Sequence, residues 1–352
     1  SNIAANCRRS MPHKLSIIVP GLCGPLPEVS GIELSARPLA ELLGNVGKHR
    51  TGFSSYPAQL ADLFGVDAGV AVPEAALALL AFGHEPGDGC WLHADPVNLQ
   101  ADMNHALLSD ARTLAIQQQE AEKLVAEINA HFAGDGLEVL MADPNNWFIR
   151  FDDCSLQTTP LRRAAGRNIN QLMPAGALAE RAQRLLNEVQ MLLHISPVNQ
   201  SREQRGLLAI NSLWLWGEGR LPSKGDPDIT RVYADEPLAR GLARLHQIEH
   251  SALTDPIALA HAMKQEGHCL AVLQQLDGPC SYSDVSAWLD EMLVIVDQWL
   301  EPLIETARLL DAEIFVYPCN GVRYHFSNKN NFRLSKLMFW KKQRLQDHVE
   351  TP

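Results

Sequence analysis

The alternation of apolar and polar positions is clearest over residues 187–222, and the rest of the chain is read outward from there. This stretch opens as the end of an amphipathic helix, turns at Pro197 and Asn199, and enters a run over 207–216 that is apolar almost throughout. A strand apolar on both faces belongs to a sheet covered on both sides. Side chains alternate along such a strand, so Trp214 and Trp216 share one face, while Asn211, Leu213 and Leu215 share the other. The strand stops at Gly217-Glu218-Gly219, where an open α/β sheet would place a ligand loop, at its carboxyl edge.

Similar patterning predicts the remaining elements. Residues 14–19 form a short buried strand ended by Pro20-Gly21, and helical periodicity follows near 37–47 and over 74–81. A strand at 90–93 leads to Asp95-Pro96-Val97-Asn98, and a long helix is expected over roughly 104–133. The segment 137–151 predicts a hairpin around Asp143-Pro144-Asn145, followed by a loop-rich section to 175. Helices are expected near 237–249 and 256–266, a buried strand over 269–276, and a helix capped by Ser283 and kinked at Pro302. A last hairpin spans 313–326 with Asn320-Gly321 as its turn. Strands alternating with helices predict an α/β fold, a doubly wound and mostly parallel sheet with an elaborated middle region and a C-terminal hairpin. Residues 11–345 are expected to form a single α/β domain, with about 100–205 open to being an inserted subdomain; Met11 as a natural start leaves 1–10 as an upstream extension.

Composition narrows the function. A hydrophobic content of 46% over 352 residues supports a sizeable core, and a net charge of -11 argues against nucleic acid, which demands a basic surface. The basic stretch 333–344, interleaved with Met338, Phe339 and Trp340, is explained by a terminal helix against the core. Seven scattered cysteines with no Cys-x-x-Cys pair predict neither a disulfide framework nor a zinc knuckle. No apolar run approaches the ~20 residues of a membrane span, and no secretory apolar region opens the chain. The expected compartment is the cytoplasm, with no membrane partner.

Several constellations carry candidate chemistry. His93-Ala94-Asp95 puts an imidazole and a carboxylate on one strand face, with Asn98 nearby, fit for a polar ligand or a single cation; an ordinary Asp-Pro turn explains it equally well. Glu188, Gln190, His194, Asn199, Arg202 and Glu203 form either a structural network or, with Asn211 and Glu218, a pocket lining. His246-Gln247-Ile248-Glu249-His250 matches the inverted zinc-protease motif, against the plainer reading of a polar helix face. The glycines around Glu218 would let a ligand approach the backbone, or would relieve crowding after two tryptophans. In a parallel sheet, Glu218 and Trp216 would emerge beside His93, Asp95 and Asn98.

The segment Asn211-Ser-Leu-Trp-Leu-Trp-Gly-Glu-Gly-Arg-Leu-Pro222 resembles the Asn-x-Ile-Trp-Leu-Trp-Gly-x-Gly-x-x-Pro segment of archaeal-type cofactor-independent phosphoglycerate mutases. More closely, the chain resembles mutase-like regulatory proteins of the RpfE type. The resemblance implies an alkaline-phosphatase-like fold, a two-metal centre and a phosphorylated serine nucleophile. Where the family's first strand ends in a metal-ligating Asp, this chain has Pro20. Counting back from Ala81-Phe82-Gly83-His84-Glu85-Pro86, Glu74 stands at the nucleophilic serine. Asp277 matches a family Asp, but Ser281 falls at a ligand His, and Pro318-Cys319-Asn320-Gly321 replaces Asp-His-Gly. Two cations near ~4 Å apart require several carboxylates and imidazoles.

The expectation is therefore a mutase-like protein with an eroded phosphoryl-transfer site, regulatory or ligand-binding, that takes a small anionic metabolite or a protein partner and needs no cofactor. The alternative is a divergent mutase or phosphohydrolase with a rebuilt site, the one case calling for a manganese, zinc or magnesium pair. The candidate ligand residues are His93, Asp95, Asn98, Asn211, Trp216, Glu218 and Asp277.

Overall fold

The computed structural model describes residues 13–24, 36–44, 46–67, 71–102 and 105–328. The expected extension at 1–10 and the basic stretch at 333–344 lie outside them. The chain divides into two compact units. Unit 1 comprises Ser1–Gly65, Asp226–Ala239 and His246–Pro352, and unit 2 comprises Val66–Gly225 with Arg240–Leu245.

In chain order, β1 (Lys14–Ile18) and β2 (Gly47–Arg50) open unit 1. Unit 2 holds β3 (Cys90–Asp102), β4 (His105–Ser109), β5 (Val139–Asp143), β6 (Asn146–Phe151), β7 (Leu156–Gln157), β8 (Ala175–Gly176) and β9 (Ser212–Gly219). The chain returns to unit 1 with β10 (Ile229–Tyr233), β11 (Glu249–Ser251), β12 (His268–Val272), β13 (Glu313–Tyr317) and β14 (Val322–Phe326).

Unit 1 is a seven-stranded mixed sheet in the order β11-β10-β12-β1-β13-β14-β2. The five strands from β11 to β13 run parallel, and β14 is antiparallel to both its neighbours. Four of five residues in β1 and all five in β12 are buried, as parallel strands covered on both faces require. Their core takes in Leu15, Ile17, Cys269, Ala271, Ile314 and Val316, with Trp288, Met292 and Leu303 from the helices after β12. The Val285–Val294 helix is capped by Asp284, whose carboxylate accepts from Ala287 N at 3.0 Å, one residue beyond the expected Ser283. Pro302 has no N–H to offer the preceding turn, and the helix widens to π geometry over Ile295–Leu300 just before it.

At the amino ends of these strands His268 is buried, with Nε2 2.8 Å from Ser16 Oγ and Nδ1 2.7 Å from Asp228 Oδ1. The Ser–His–Asp order is that of a hydrolase triad, but Ser16 is fully buried in mid-strand, out of reach of any substrate. Burial, then the Lys14 charge, holds the imidazole below its ordinary value despite the opposing pull of Asp228. A buried histidine that resists protonation costs stability in acid, because the unfolded chain takes up the proton at about 6.5 and the folded chain does not. Stability should therefore fall as pH drops below about 6.5, by at most about 1.4 kcal/mol per pH unit from this group. Urea denaturation at pH 7.5 and 5.5 should show that component in the wild type and not in His268→Gln.

Unit 2 is antiparallel: β3 pairs with β4, β6 and β9, and β6 pairs with β5. The hairpin expected over 137–151 is present as β5 and β6. The helix expected over 104–133 is split, because Leu107 is exposed and Leu108 buried, the period of a strand rather than a helix. The helix proper begins at Gln118, where Gln117 and Glu120 form a capping box. The main core of the unit packs Leu92, Ala94, Leu213 and Leu215 against Leu124, Ile128, Leu186 and Val189. The apolar run at 207–211 is not strand: Leu207 and Leu208 are exposed, and β9 begins at Ser212.

Cys90 and Cys154 are disulfide-bonded, Cα atoms 5.6 Å apart, across a sequence separation of 64. Sequence spacing gave no sign of this bridge, since pairing depends on which strands the fold brings together. No described helix is long and apolar enough to cross a membrane.

Candidate functional site

Six of the seven candidate ligand residues lie in unit 2, arranged along β3 and β9. The two strands are antiparallel, with His93 opposite Trp216 and Asp95 opposite Trp214. The two segments therefore meet side by side along a ladder, not at a shared carboxyl edge. Both faces of β9 are apolar because this antiparallel sheet is itself covered on both sides.

His93 and Asp95, two residues apart, share the tryptophan face. The His93 ring stacks on Trp216 with centroids 4.1 Å apart and 9° between planes, and leans on Phe148 at 4.6 Å. Asp95 is buried and accepts a hydrogen bond from Trp216 Nε1 at 2.7 Å and from Trp147 N at 3.4 Å. A buried carboxylate needs such donors to offset its lost hydration. His93 Nδ1 lies 3.5 Å from Asp95 Oδ1, without hydrogen-bond geometry, and it is a buried nitrogen without a hydrogen-bond partner.

The register of β3 and β9 shifts between Trp91 and His93, so β9 carries a bulge at Gly217-Glu218. Gly217 has φ +70°, and a Cβ there would sit 3.2 Å from Glu74 Cβ and 3.4 Å from His93 Cδ2. A Cβ on Gly219 would meet Pro73 Cβ at 2.5 Å. The glycines thus relieve crowding, against the start of the Glu74–Ala81 helix, the plainer of their two readings. Glu218 turns to residue 158, accepting from Thr158 N at 3.3 Å and from its hydroxyl.

A residue that sequence reasoning missed completes the cluster. Arg162 donates to both oxygens of buried Glu74, at 2.8 and 3.0 Å, a two-pronged pairing in which guanidinium and carboxylate match. Its guanidinium carbon lies 6.0 Å from the Trp216 ring centroid. Trp214 Nε1 donates to Thr159 O at 2.8 Å. The loop 158–162 is thereby fastened to the strand and helix that hold His93 and Asp95. The only signal in the sequence was the pair Arg162-Arg163 in a loop-rich region.

Two of the other candidates bond to the backbone, and Asn98 Oδ1 stays buried without a hydrogen-bond partner. Asn98 Nδ2 donates to Ala209 O at 2.7 Å, and Asn211 exchanges hydrogen bonds with Leu99 N and O at 2.7 and 3.0 Å. Both tie the chain before β9 to β3. Asn199 likewise holds Leu193 O and both backbone groups of Ile210. Asn199 and Arg202, of the polar segment, thus make structural hydrogen bonds. Asp277 belongs to unit 1, in the first turn of the Asp277–Ser281 helix. The zinc-protease motif is broken: Gln247 has φ +59°, the helix ends at His246, and His250 lies on β11. His246 packs on Phe64 instead, ring centroids 5.3 Å apart.

The metal pair implied by the resemblance would sit beyond the carboxyl ends of β12, β1 and β13, whose residues Val272, Ile18 and Tyr317 are in register. Pro20 offers no side-chain donor there. Burial pushes the Cys23 thiol up to about 12, against a hydrogen bond with Tyr324, and the Cys280 thiol up to about 11, so neither is a ready thiolate ligand. Among the described residues no group of three or more His, Cys, Asp or Glu side chains could hold a metal ion.

The architecture is α/β with mixed sheets, and it is shared with a solved protein from Pyrococcus horikoshii, at a TM-score of 0.50 and 16% identity over 90% of this chain and 88% of that one. The cofactor-independent phosphoglycerate mutase of Thermoplasma acidophilum superposes at a TM-score of 0.43, with 16% identity over 92% of both chains. In sequence the chain is related, at low identity, to cofactor-independent phosphoglycerate mutases. It is 28% identical over 193 residues to a probable 2,3-bisphosphoglycerate-independent phosphoglycerate mutase of Geobacter sulfurreducens, covering 51% of this chain and 47% of that one. The corresponding enzyme of Methanosarcina barkeri is 25% identical over 140 residues, 38% of this chain and 35% of that one. The chain thus spans about half the length of the first of these relatives and about a third of the second. No family model matches it.

Proposed function

We propose that this chain is a mutase-like protein of alkaline-phosphatase type, akin to the regulatory RpfE kind, that binds a small anionic metabolite and no longer carries out two-metal phosphoryl transfer. The observation that carries this reading is Glu74. Matched to the nucleophilic serine, it offers no hydroxyl, and its carboxylate is held in the fork of Arg162. Arg162 keeps 26% of its side chain exposed beside half-buried Trp216, so an anion can reach the guanidinium and a planar group the ring. His93 and Asp95 form the buried wall of this cluster, and Glu218 holds the loop in place.

The test combines elemental analysis, a phosphoglycerate mutase assay and calorimetry with 3-phosphoglycerate. The expected result is no stoichiometric metal pair, no interconversion of 2- and 3-phosphoglycerate, and binding weakened about ten-fold or more by Arg162→Ala. Glu74→Gln should tighten binding, because it removes the carboxylate that competes for the fork. Two tightly held metals per chain, or turnover lost in Glu74→Ala, would overturn the reading. The approach of His93 to Asp95 favours a second reading, a phosphohydrolase or mutase rebuilt around His93, Asp95 and Glu218. A phosphatase assay lost in both His93→Gln and Asp95→Asn would establish it.

A further inference from the structure

We propose that the Cys90–Cys154 disulfide is a redox latch on the unit 2 cluster, closing the loop 154–165 over it when oxidised and releasing that loop when reduced. The proposal rests on the reading of this cluster as the ligand site and adds its regulation.

The covalent bond joins the first residue of β3, three positions before His93, to the loop that leaves β6. From Cys154 the same loop runs through each of the contacts that close the cluster. Thr158 binds Glu218, Thr159 O accepts from Trp214, and Arg162 grips Glu74. Besides these anchors the loop has the two-residue pairing of β7 with β8, a one-turn helix at Leu161–Ala164, a bridge from Ala165 to Leu108, and the buried side chains of Leu156, Ala164 and Ala165. Between these ends, none of residues 157–163 is buried, so opening that stretch once the cross-link is cut exposes little apolar surface.

The bond is also placed for attack from one side. Cys90 is fully buried, whereas Cys154 is half-buried and flanked by exposed Asp152 and Asp153. A cleft of about 310 Å3 is lined by Asp88, Gly89, Arg150, Phe151, Asp152 and Arg220, residues close in the chain to Cys90 and Cys154. A protein or small-molecule dithiol therefore reaches half-buried Cys154 before fully buried Cys90. Its thiolate bonds to Cys154 Sγ, the Cys90–Cys154 bond breaks, and Cys90 Sγ leaves with the electron pair and takes a proton. The second thiol of the reductant then resolves the mixed disulfide, freeing the Cys154 thiol. The reductant ends as a disulfide, two electrons lighter, and the protein carries two thiols.

The experiment is hydrogen exchange by mass spectrometry on the full chain, without ligand, after mild oxidation and again in excess dithiothreitol. Peptide mapping should find 90 and 154 linked in the oxidised sample. On reduction, exchange over 155–165 should rise at least ten-fold, while β1 and β12 stay unchanged. Cys154→Ser should exchange like the reduced wild type, and should it fail to fold, the two states of the wild type decide alone. Free thiols at both positions after oxidation, or exchange within two-fold between the states, would overturn the latch. Failure of 3-phosphoglycerate to bind the oxidised protein would instead overturn the ligand reading and leave these exchange results standing.

Discussion

Arg202→Met should lower the stability of the folded chain by about 3 kcal/mol, read as a shift of the urea midpoint at unchanged slope. Arg202 has no exposed surface, and each of its three guanidinium nitrogens donates a hydrogen bond. Nε donates to Leu208 O at 2.9 Å, one terminal nitrogen to Leu114 O at 2.5 Å, and the other to Glu120. Methionine fills much of the space but leaves two backbone carbonyls and part of a carboxylate without donors, the costly half of breaking a buried pair. Arg205 also binds Glu120, which holds the loss to the lower end of the range for buried pairs. Lysine should not rescue, since one ammonium cannot span three acceptors set in a planar fork. Burial alone would raise the Glu120 carboxyl, but hydrogen bonds from Arg205, the Gln117 N–H and Arg202 outweigh it and hold the group low. A depressed carboxyl stabilises above its unfolded value of about 4.3 and ceases to do so as pH falls through the folded one. The deficit of Arg202→Met relative to wild type should accordingly narrow in acid.

Gly241→Ala should also cost about 3 kcal/mol or more, measured by thermal denaturation, although alanine at an ordinary helical glycine stabilises by up to about 1 kcal/mol. The sign is set by one close approach. A Cβ on Gly241 would lie 1.9 Å from Leu77 O and 2.6 Å from Leu77 C, backbone atoms of the Glu74–Ala81 helix. No side-chain rotation can clear that overlap, so one helix must move off the other. Because Glu74 begins the displaced helix, the Arg162 pairing should loosen with it, visible as changed fluorescence of neighbouring Trp216.

Local elements were legible wherever one period dominated. The strand at 14–19, the helix over 74–81 and the hairpin at 137–151 followed directly from apolar spacing and turn residues. The hairpin at 313–326 is present too, but its strands end at Tyr317 and resume at Val322, so the connection is wider than the two residues Asn320-Gly321. Direction was not legible. β9 is apolar on both faces, a pattern that a covered antiparallel strand and a parallel one share, and its partner β3 lies more than a hundred residues earlier. Leu107 and Leu108 were read on a helix because adjacent leucines fit either period, and only the exposure of one and burial of the other separates them. In the cluster, His93, Asp95 and Trp216 were visible as residues of adjoining strand faces. Arg162 and the Cys90–Cys154 bridge were not, because each depends on where a loop of irregular backbone is laid down.

The bulge in β9 has a further consequence, for chain length rather than composition. Trp216 is opposite His93 and Gly219 opposite Trp91, so β9 uses three steps where β3 uses two. Removing Glu218 would let the two strands step alike, so the ladder would close with Trp216 still opposite His93 and Gly219 still opposite Trp91. Arg220, which donates to Asp88 O and to Asp152 O at 3.2 Å, would keep its place. The extra residue is therefore there for the loop and not for the ladder: it turns a carboxylate out of the strand to Thr158. A one-residue deletion there should free residue 158 while leaving the pairing of β3 with β9 in register.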